Sequence, residues 1–220
     1  MSYGDVQLIR THDLLEIDAK RFLSHPAYAP EWVPEALRRA PFVVVRRALA
    51  TKQTIPVGVR GVARNQRWAA MCPFELVRNI LAPGQLLDRP VPKSREDAIP
   101  AFRALNIMKE RWRDIDYPWG PGGSVGFELA AGWHVVRRES DLDIVIYSAR
   151  RLTQDLAQSL HAQTLNLGAV VDVRVEAPSC GFSLKEYARR SQREILLRTP
   201  NGVTIGIDPW GDEIPTTDYK

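Results

Sequence analysis

The segment Asp141-Leu142-Asp143-Ile144-Val145-Ile146-Tyr147 decides the fold and the chemistry expected of this chain. Its apolar, β-branched second half predicts a strand buried in a sheet. Residues two apart in a strand point to the same face, so Asp141 and Asp143 would lie side by side, roughly 6–7 Å apart. Two such carboxylates repel each other and need a cation, and Mg²⁺ takes oxygen ligands while keeping positions open for substrate phosphates. The segment therefore predicts a magnesium–phosphate site, although a lone Asp-x-Asp is more often a surface turn.

A glycine-rich loop, Gly122-Gly123-Ser124-Val125-Gly126, precedes this strand. Glycines permit backbone conformations that other residues avoid, and they let main-chain N–H groups approach a phosphate closely. Ser124 is suited to cap a following helix, and a helix N-terminus binds anions. We therefore predict that Gly123 and Ser124 bind a triphosphate beside the Asp141/Asp143 metal site, which is the equipment for nucleotidyl transfer. A P-loop kinase is excluded by the missing Gly-Lys-Ser/Thr, and the glycine spacing does not complete a dinucleotide-binding loop.

A third carboxylate usually completes a site of this kind, and the strand predicted over residues 169–175 points to two candidates. Asp172 is the first choice because it lies mid-strand between apolar neighbours, where an acid needs a specific role. Glu176, at the end of the strand, is the second choice. The predicted catalytic and metal-binding acids are therefore Asp141, Asp143 and Asp172, and Asp172 is by its placement also the favoured side-chain base.

Proline and glycine cluster at residues 81–84 and again at 89–93, which predicts a break between two domains. We predict a small N-terminal α+β domain over residues 1–82, a linker over 83–98, a second domain over 99–211 and a loose tail over 212–220. Helices that alternate with strands in the second domain predict a mixed sheet flanked by helices, so the fold class is α+β. The predicted strands are 6–9, 42–47, 55–64, 133–136, 141–147, 169–175 and 203–207, and the predicted helices are 30–37 (interrupted by Pro34), 74–81, 99–112, 127–131, 152–167 and 183–197.

Composition narrows the class of protein. Of the 220 residues, 45% are hydrophobic and 25% are charged, which is typical of a globular protein and not of a disordered one. No apolar run approaches the roughly 20 residues that span a bilayer, and residues 1–6 lack the pattern of a signal peptide, so we expect a cytoplasmic protein with no membrane partner. Cys72 and Cys180 are expected to be reduced core residues, and the scattered histidines argue against a zinc site.

The net charge of +4 suits a phosphate-bearing ligand or an acidic protein partner. It is weak support for nucleic acid, since no stacking motif accompanies it. In the N-terminal half, Arg60, Arg64 and Arg67 lie beside two glycines and are the best candidates for anion binding, with a solvated face as the alternative. For His12 the sequence allows either a ligand contact or a structural hydrogen bond.

Gly-Ser followed by Asp-x-Asp resembles the signature of the DNA polymerase β-like nucleotidyltransferase superfamily, here with 16 residues between Ser124 and Asp141. More narrowly, the chain resembles the phosphoribosyl-dephospho-CoA transferases of malonate decarboxylase, also called its holo-acyl-carrier-protein synthases. The resemblance covers about residues 8–210, and its most specific part runs from Ile55 to Arg67. It is carried by Arg10-Thr11-His12-Asp13-Leu14-Leu15, Ile55-Pro56-Val57-Gly58-Val59-Arg60-Gly61, Arg64-Asn65-Gln66-Arg67, Gly123-Ser124-Val125-Gly126-Phe127-Glu128-Leu129 and Ser140-Asp141-Leu142-Asp143.

The resemblance implies a nucleotidyltransferase-like second domain and a defined reaction. The donor would be 2′-(5″-triphosphoribosyl)-3′-dephospho-CoA, and the acceptor a serine hydroxyl of the acyl-carrier protein subunit of malonate decarboxylase. Attack on the phosphate next to the ribose would release pyrophosphate, and the family's catalytic aspartate pair falls on Asp141 and Asp143. The alternatives are a nucleotidyltransferase of the same fold that acts on another protein or small-molecule hydroxyl and, ranked last, a non-enzymatic nucleic-acid-binding module.

Overall fold

The first half of the chain folds into an antiparallel sheet. A computed structural model describes residues 9–25, 28–63, 65–189 and 194–211. The strands of this first sheet have the spatial order β4-β3-β2-β1-β5. Two short helices, α1 and α2, follow β1 along the chain. The bounds are β1 Leu14–Ile17, α1 Ala19–Leu23, α2 Val33–Arg39, β2 Phe42–Val45, β3 Thr54–Arg60, β4 Arg67–Pro73 and β5 Val77–Leu81.

Strand alternation gives the first sheet two different faces. Leu15, Val43 and Val57 point to one face, where they are buried in one cluster with Phe22 of α1 and Leu37 of α2. Their neighbours along the strands point to the opposite face, because successive side chains alternate. That opposite face is turned toward the second half of the chain and becomes important for the site.

The second half folds into a mixed sheet with helices around it. Its strands have the order β11-β10-β9-β8-β7-β6, and β7 and β8 are its parallel pair. The bounds are α3 Lys93–Ala98, α4 Pro100–Arg111, β6 Trp119–Pro121, α5 Gly123–Ala131, β7 Leu142–Tyr147, α6 Gln154–Gln163, β8 Val171–Glu176, β9 Gly181–Ser183, α7 Leu184–Arg189, β10 Ile195–Thr199 and β11 Gly202–Gly206. Together the two sheets and their helices confirm the α+β class.

The prediction of a helix over residues 74–81 is wrong. A 3₁₀ turn occupies Phe74–Leu76, and the remainder is strand β5, which pairs with β1. Val77 and Leu81 are buried at its two ends, while Arg78 and Asn79 between them are exposed. Pairing with β1 and burial of these two residues outweigh the helical propensity of a short segment.

Several boundaries in the second half also differ from the predictions. Residues 133–136 form no strand, and α5 begins at Gly123 rather than at residue 127. Of the helix predicted over 183–197, the structure describes Leu184–Arg189 as α7, residues 190–193 lie outside the described ranges, and Ile195–Thr199 form β10 instead. The segment 83–98 contains a 3₁₀ helix over Pro83–Asp88 and then α3. Most of the strand predicted at 6–9 lies outside the described residues.

The two halves are joined by a small apolar cluster and by polar contacts. Leu14, Ala40 and Leu81 of the first half pack with Leu86 and with Phe127 of α5.

Cys72 and Cys180 are buried free thiols, as predicted, and burial raises their pKa values to about 12 and about 11. None of the helices formed by the described residues combines the length and apolar character needed to cross a membrane.

Candidate active site

Two predicted acids lie on neighbouring parallel strands. Asp143 of β7 and Asp172 of β8 are directly paired in the register of these strands. Their side chains therefore share one face of the second sheet, near the beginning of both strands. Asp141 lies just before β7 and is exposed. The structure thus brings the three predicted acids to one corner of the sheet, with Asp143 the most buried of them.

The glycine-rich loop packs directly against Asp143. The Gly122 N–H donates to the Asp143 carbonyl oxygen at 2.9 Å, and α5 begins at the next residue. Gly123 has a positive φ of 54°, and a Cβ at this position would lie 1.7 Å from Asp143 Oδ2. Only glycine fits here, because both the backbone conformation and the space exclude a side chain. The carboxylate of Asp143 is therefore held against the N-terminus of α5.

A buried ion pair fixes α5 in this position. Glu128 of α5 is 6% exposed and accepts two hydrogen bonds from Arg95, each of 2.8 Å. It also accepts the backbone N–H groups of Val135 and Val136 at 2.8 and 2.7 Å. A carboxylate with four donors is fully satisfied in spite of its burial. This cluster ties the helix that carries the glycine loop to α3 and to the loop that follows α5.

The electrostatics of Asp143 fit a cation. Burial and the neighbouring charges of Asp172 and Asp141 raise its pKa, while Arg60 and Arg174 act in the opposite direction. Mutual repulsion of hard carboxylate oxygens is the kind of environment that Mg²⁺ relieves. Among the described residues, no three acidic, histidine or cysteine side chains already converge as a complete metal cage. The donor set therefore fits Mg²⁺ in chemical type, with positions left for substrate oxygens.

These residues open onto a cleft between the two sheets. The cleft has a volume of about 510 Å³, which is in the range of ligand pockets. Its floor is a row of small and apolar residues across the first sheet, and the register places them side by side: Leu14, Val44, Gly58 and Ala69. The second half contributes Gly122 and Gly123 at the start of α5, and Asp143, Asp172 and Arg174 from β7 and β8.

One side of the cleft is strongly basic. Arg60 and Arg67, which the sequence predicts as anion-binding residues, both line the cleft and are directly paired across β3 and β4. Arg64 lies outside the described residues. Arg46 and Arg174 also line the cleft and were not among the predicted residues. Their only sequence signals are an Arg-Arg pair and a position two residues after Asp172.

Ser124 and Glu176 stand apart from this geometry. Ser124 lies in the first turn of α5, is 7% exposed and is not among the residues that line the cleft. Glu176 lies four residues beyond Asp172 on β8, at the far end of the strand. There it contacts His12 and Arg47 of the first half, so it is charge-paired and is not placed as a metal ligand.

Sequence reasoning left His12 undecided, and the structure places it at the cleft. His12 lines the cleft together with Asp143 and Arg174, and its Nε2 lies 2.9 Å from Glu176 Oε1. Its backbone has a positive φ of 77°, which is uncommon for a residue with a side chain. No pattern in the sequence predicts this backbone conformation or the contact with Glu176.

Comparison with known proteins identifies the family to which this chain is similar. Residues 10–83 match the family model described as phosphoribosyl-dephospho-CoA transferase MdcG N-terminal domain, and residues 89–209 match the model of the C-terminal domain. A phosphoribosyl-dephospho-CoA transferase of Pseudomonas aeruginosa is 35% identical over 199 residues, 90% of this chain and 92% of that protein. One of Klebsiella pneumoniae is 32% identical over 208 residues, 93% of this chain and 97% of that protein. No solved structure matches the chain.

Proposed function

This chain belongs to the phosphoribosyl-dephospho-CoA transferase family and is therefore a transferase enzyme, and from that premise we propose its reaction. We propose that it transfers phosphoribosyl-dephospho-CoA from 2′-(5″-triphosphoribosyl)-3′-dephospho-CoA to a serine of the malonate decarboxylase acyl-carrier protein in the cytoplasm, with release of pyrophosphate. The observation that carries the proposal is the pairing of Asp143 with Asp172, packed on Gly123 and facing an arginine-lined cleft.

The N-terminus of α5 supplies the first half of phosphate binding. Gly122 and Gly123 expose backbone where a side chain would block approach, and the helix that follows has nine residues. The unpaired N–H groups and the dipole of such a helix favour negative charge at its start. We propose that the triphosphate of the donor lies here, with the phosphate next to the ribose toward Asp143.

The acidic corner supplies the metal site. We propose that Asp141, Asp143 and Asp172 hold Mg²⁺, since their oxygens are of the type that this ion prefers. When bound, the ion neutralises phosphate charge and makes pyrophosphate a better leaving group. Of the three acids, Asp143 would fix the position of the ion most firmly, because it lies on β7, is the most buried and packs against the glycine loop.

The basic side of the cleft orients the rest of the donor. Arg46, Arg60 and Arg67 of the first half line the same cleft as Asp143 and Asp172, and Arg60 interacts electrostatically with Asp143. The donor carries a triphosphate and, in its dephospho-CoA part, a diphosphate, so it presents anions at two places. The α5 N-terminus would bind the triphosphate, and the arginines would bind the diphosphate. Binding at both places would hold the reacting phosphate in position, and such positioning supplies most of the rate enhancement in transfers of this kind.

Intact-mass spectrometry of the apo-carrier protein tests the proposal. Incubation with this protein, Mg²⁺ and the triphosphoribosyl donor should add one phosphoribosyl-dephospho-CoA unit to one serine, and a chelator should prevent it. Asp143→Asn should abolish the mass shift, whereas Asp114→Asn, at an exposed acid outside the cleft, should leave it unchanged.

No mass shift with a folded enzyme and a verified donor would contradict the proposed acceptor. Pyrophosphate release with a different protein or a small-molecule hydroxyl would then identify the alternative reaction of the same site. Equal transfer by Asp143→Asn and the unchanged protein would contradict the role given to the acidic corner.

A further inference from the structure

The turn that carries His12 is held in a conformation that needs support. His12 has a φ of 77°, and such strain persists where surrounding contacts over-determine the backbone. The His12 N–H donates to the Val45 carbonyl oxygen at 2.9 Å, and the Arg10 N–H donates to Asp13 Oδ2 at 2.8 Å. The hydroxyl of Tyr147, on β7, donates to the Thr11 carbonyl oxygen at 2.8 Å. The second sheet thus locks the turn in place and presents His12 at the edge of the cleft.

Glu176 fixes the tautomer of His12. The carboxylate is 5% exposed, and its second oxygen lies against the guanidinium of Arg47, so it is held ionised. An ionised carboxylate accepts only, and His12 Nε2 at 2.9 Å must therefore carry the hydrogen. In the neutral ring Nδ1 then keeps a lone pair, and no hydrogen bond joins it to any residue in the described ranges. A ring held by a carboxylate through one nitrogen, with the other left basic, is the arrangement of a general base.

Burial and two neighbouring arginines favour the neutral ring of His12 before the donor binds. Burial lowers its pKa to about 4, and Arg174 of β8 and Arg47, which follows β2, add to this effect. Asp143 of β7 and Asp13 of the same turn act in the opposite direction. The ionised Glu176 carboxylate, 2.9 Å from Nε2, also favours the protonated ring. A polyphosphate in the cleft brings negative charge beside Arg174, which opposes the lowering and makes the ring a stronger base when the substrate is present.

We infer that His12 is the general base of the transfer and that Glu176 is its positioning residue, an inference that rests on the proposed function. The Oγ–H bond of the acceptor serine breaks and its proton passes to His12 Nδ1. The serine Oγ forms a bond to the phosphorus next to the ribose. The bond between that phosphorus and the pyrophosphate oxygen breaks, and its electron pair leaves with pyrophosphate. The proton on Nδ1 then returns to solvent.

This assignment takes the role of base away from Asp172. Asp172 is paired with Asp143 in the strand register, and its Oδ2 lies 3.6 Å from Nη2 of Arg174. Its carboxylate therefore already has the proposed metal site and a cation as neighbours. His12 borders the same cleft from the first half of the chain, and its ring contacts Glu176 at the other end of the strand that carries Asp172. An acceptor hydroxyl that enters this cleft can therefore reach both the base and the phosphate proposed to lie at Gly123 and Asp143.

Two substitutions at His12 preserve the backbone while removing the base. Asparagine and glycine both tolerate a positive φ, so His12→Asn and His12→Gly avoid the strain that alanine would add. We expect each to lower kcat of carrier modification by about 10²- to 10³-fold, as for loss of a general base, with the donor KM changed less than about threefold. Added imidazole should restore at least part of the rate of His12→Gly. The control His134→Asn, at an exposed histidine outside the cleft, should keep the full rate.

Nitrogen-15 NMR of the histidine rings makes the test independent of turnover. At pH 7 the His12 ring, assigned by its absence in His12→Asn, should show a protonated Nε2 and an unprotonated Nδ1. In Glu176→Gln this preference should weaken, and kcat should fall with little change in the donor KM. Thermal unfolding identifies any variant that has lost its fold.

The outcomes separate this inference from the proposed function. Transfer by the unaltered protein with an undiminished rate in His12→Asn would overturn the inference and leave the function standing. A ring that is doubly protonated, or protonated on Nδ1, would overturn it whatever the activity. A lost rate that imidazole does not restore in His12→Gly, together with a raised donor KM, would assign His12 to binding instead. Absence of any transfer by the unaltered protein would remove the proposed function itself.

Discussion

Gly123 is the residue at which the site tolerates no side chain. Its Cβ would meet Asp143 Oδ2 at 1.7 Å, and its φ is positive. Gly132, at the other end of α5, also has a positive φ, of 66°, but a Cβ there would meet nothing within 4 Å. A side chain at Gly132 would therefore only strain the backbone, whereas one at Gly123 would also displace the Asp143 carboxylate.

Gly123→Ala should lose both stability and activity. We expect a fall of at least about 100-fold in transfer, because small displacements of a reacting group are that costly. Gly132→Ala should cost only the strain of a left-handed residue, about 1–2 kcal/mol, with activity retained. Steady-state transfer and thermal unfolding of both variants measure this, and equal activity loss in the two would argue against the steric role of Gly123.

Asp143→Asn should abolish most of the activity without lowering the stability of the fold. Burial and two like charges raise the pKa of Asp143, so the ionised acid is a source of strain in the fold. The amide removes that repulsion, and we expect an unchanged or higher Tm together with a loss of transfer of about 10²–10³-fold. Mg²⁺ should raise the Tm of the unaltered protein more than that of the variant. A variant that unfolds earlier and responds equally to Mg²⁺ would contradict this account of the site.

At the scale of elements, the position of α5 depends on Arg95 and Glu128. Arg95→Met would leave a carboxylate that is 6% exposed without its cation, which costs about 3 kcal/mol in comparable buried pairs. Arg113→Met removes an ion pair with Glu110 whose side chains are 66% and 71% exposed, and should change the free energy of unfolding by less than about 1 kcal/mol. Urea unfolding compares the two, and a similar loss in both would mean that burial does not set the strength of the pair.

At the scale of the whole molecule, the junction between the halves should weaken in acid. Folding lowers the pKa of His12 from 6.5 to about 4, so between these values the unfolded chain binds a proton that the folded chain does not. Stability from this group is complete above pH 6.5 and is lost as the pH falls toward 4. The loss should amount to roughly 1–3 kcal/mol.

His12→Asn should reduce this acid sensitivity, and His134→Asn should not. The comparison with the unaltered protein is needed because Asp13 and Asp143 have raised pKa values and contribute in the opposite sense. Free energies of unfolding from pH 7 to pH 4.5 provide the measurement. Parallel pH curves for His12→Asn and the unaltered protein would show that His12 titrates normally in the folded state.

The sequence by itself determined the α+β class, the strand that carries Asp143 and the glycine loop beside it. These features are local: β-branched runs form strands, and a pair of glycines followed by an apolar segment precedes a helix. The sequence also pointed to Arg60 and Arg67, which accompany a glycine-containing strand and both line the cleft. Family resemblance then gave the proposed reaction.

The tertiary structure alone decided what lies opposite these residues. The pairing of Asp143 with Asp172 depends on a parallel register between strands that are 29 positions apart at this pair, and the contact of His12 with Glu176 joins residues 164 positions apart. Helix 74–81 failed as a prediction for the same reason, since pairing with β1 turned its second half into a strand. Contacts between distant segments are set by packing of the whole chain, which local pattern does not encode. Local patterns in the sequence therefore predict the acids, the glycine loop and the arginines. The cleft that brings them together, and the position of His12 at its edge, depend on the tertiary structure.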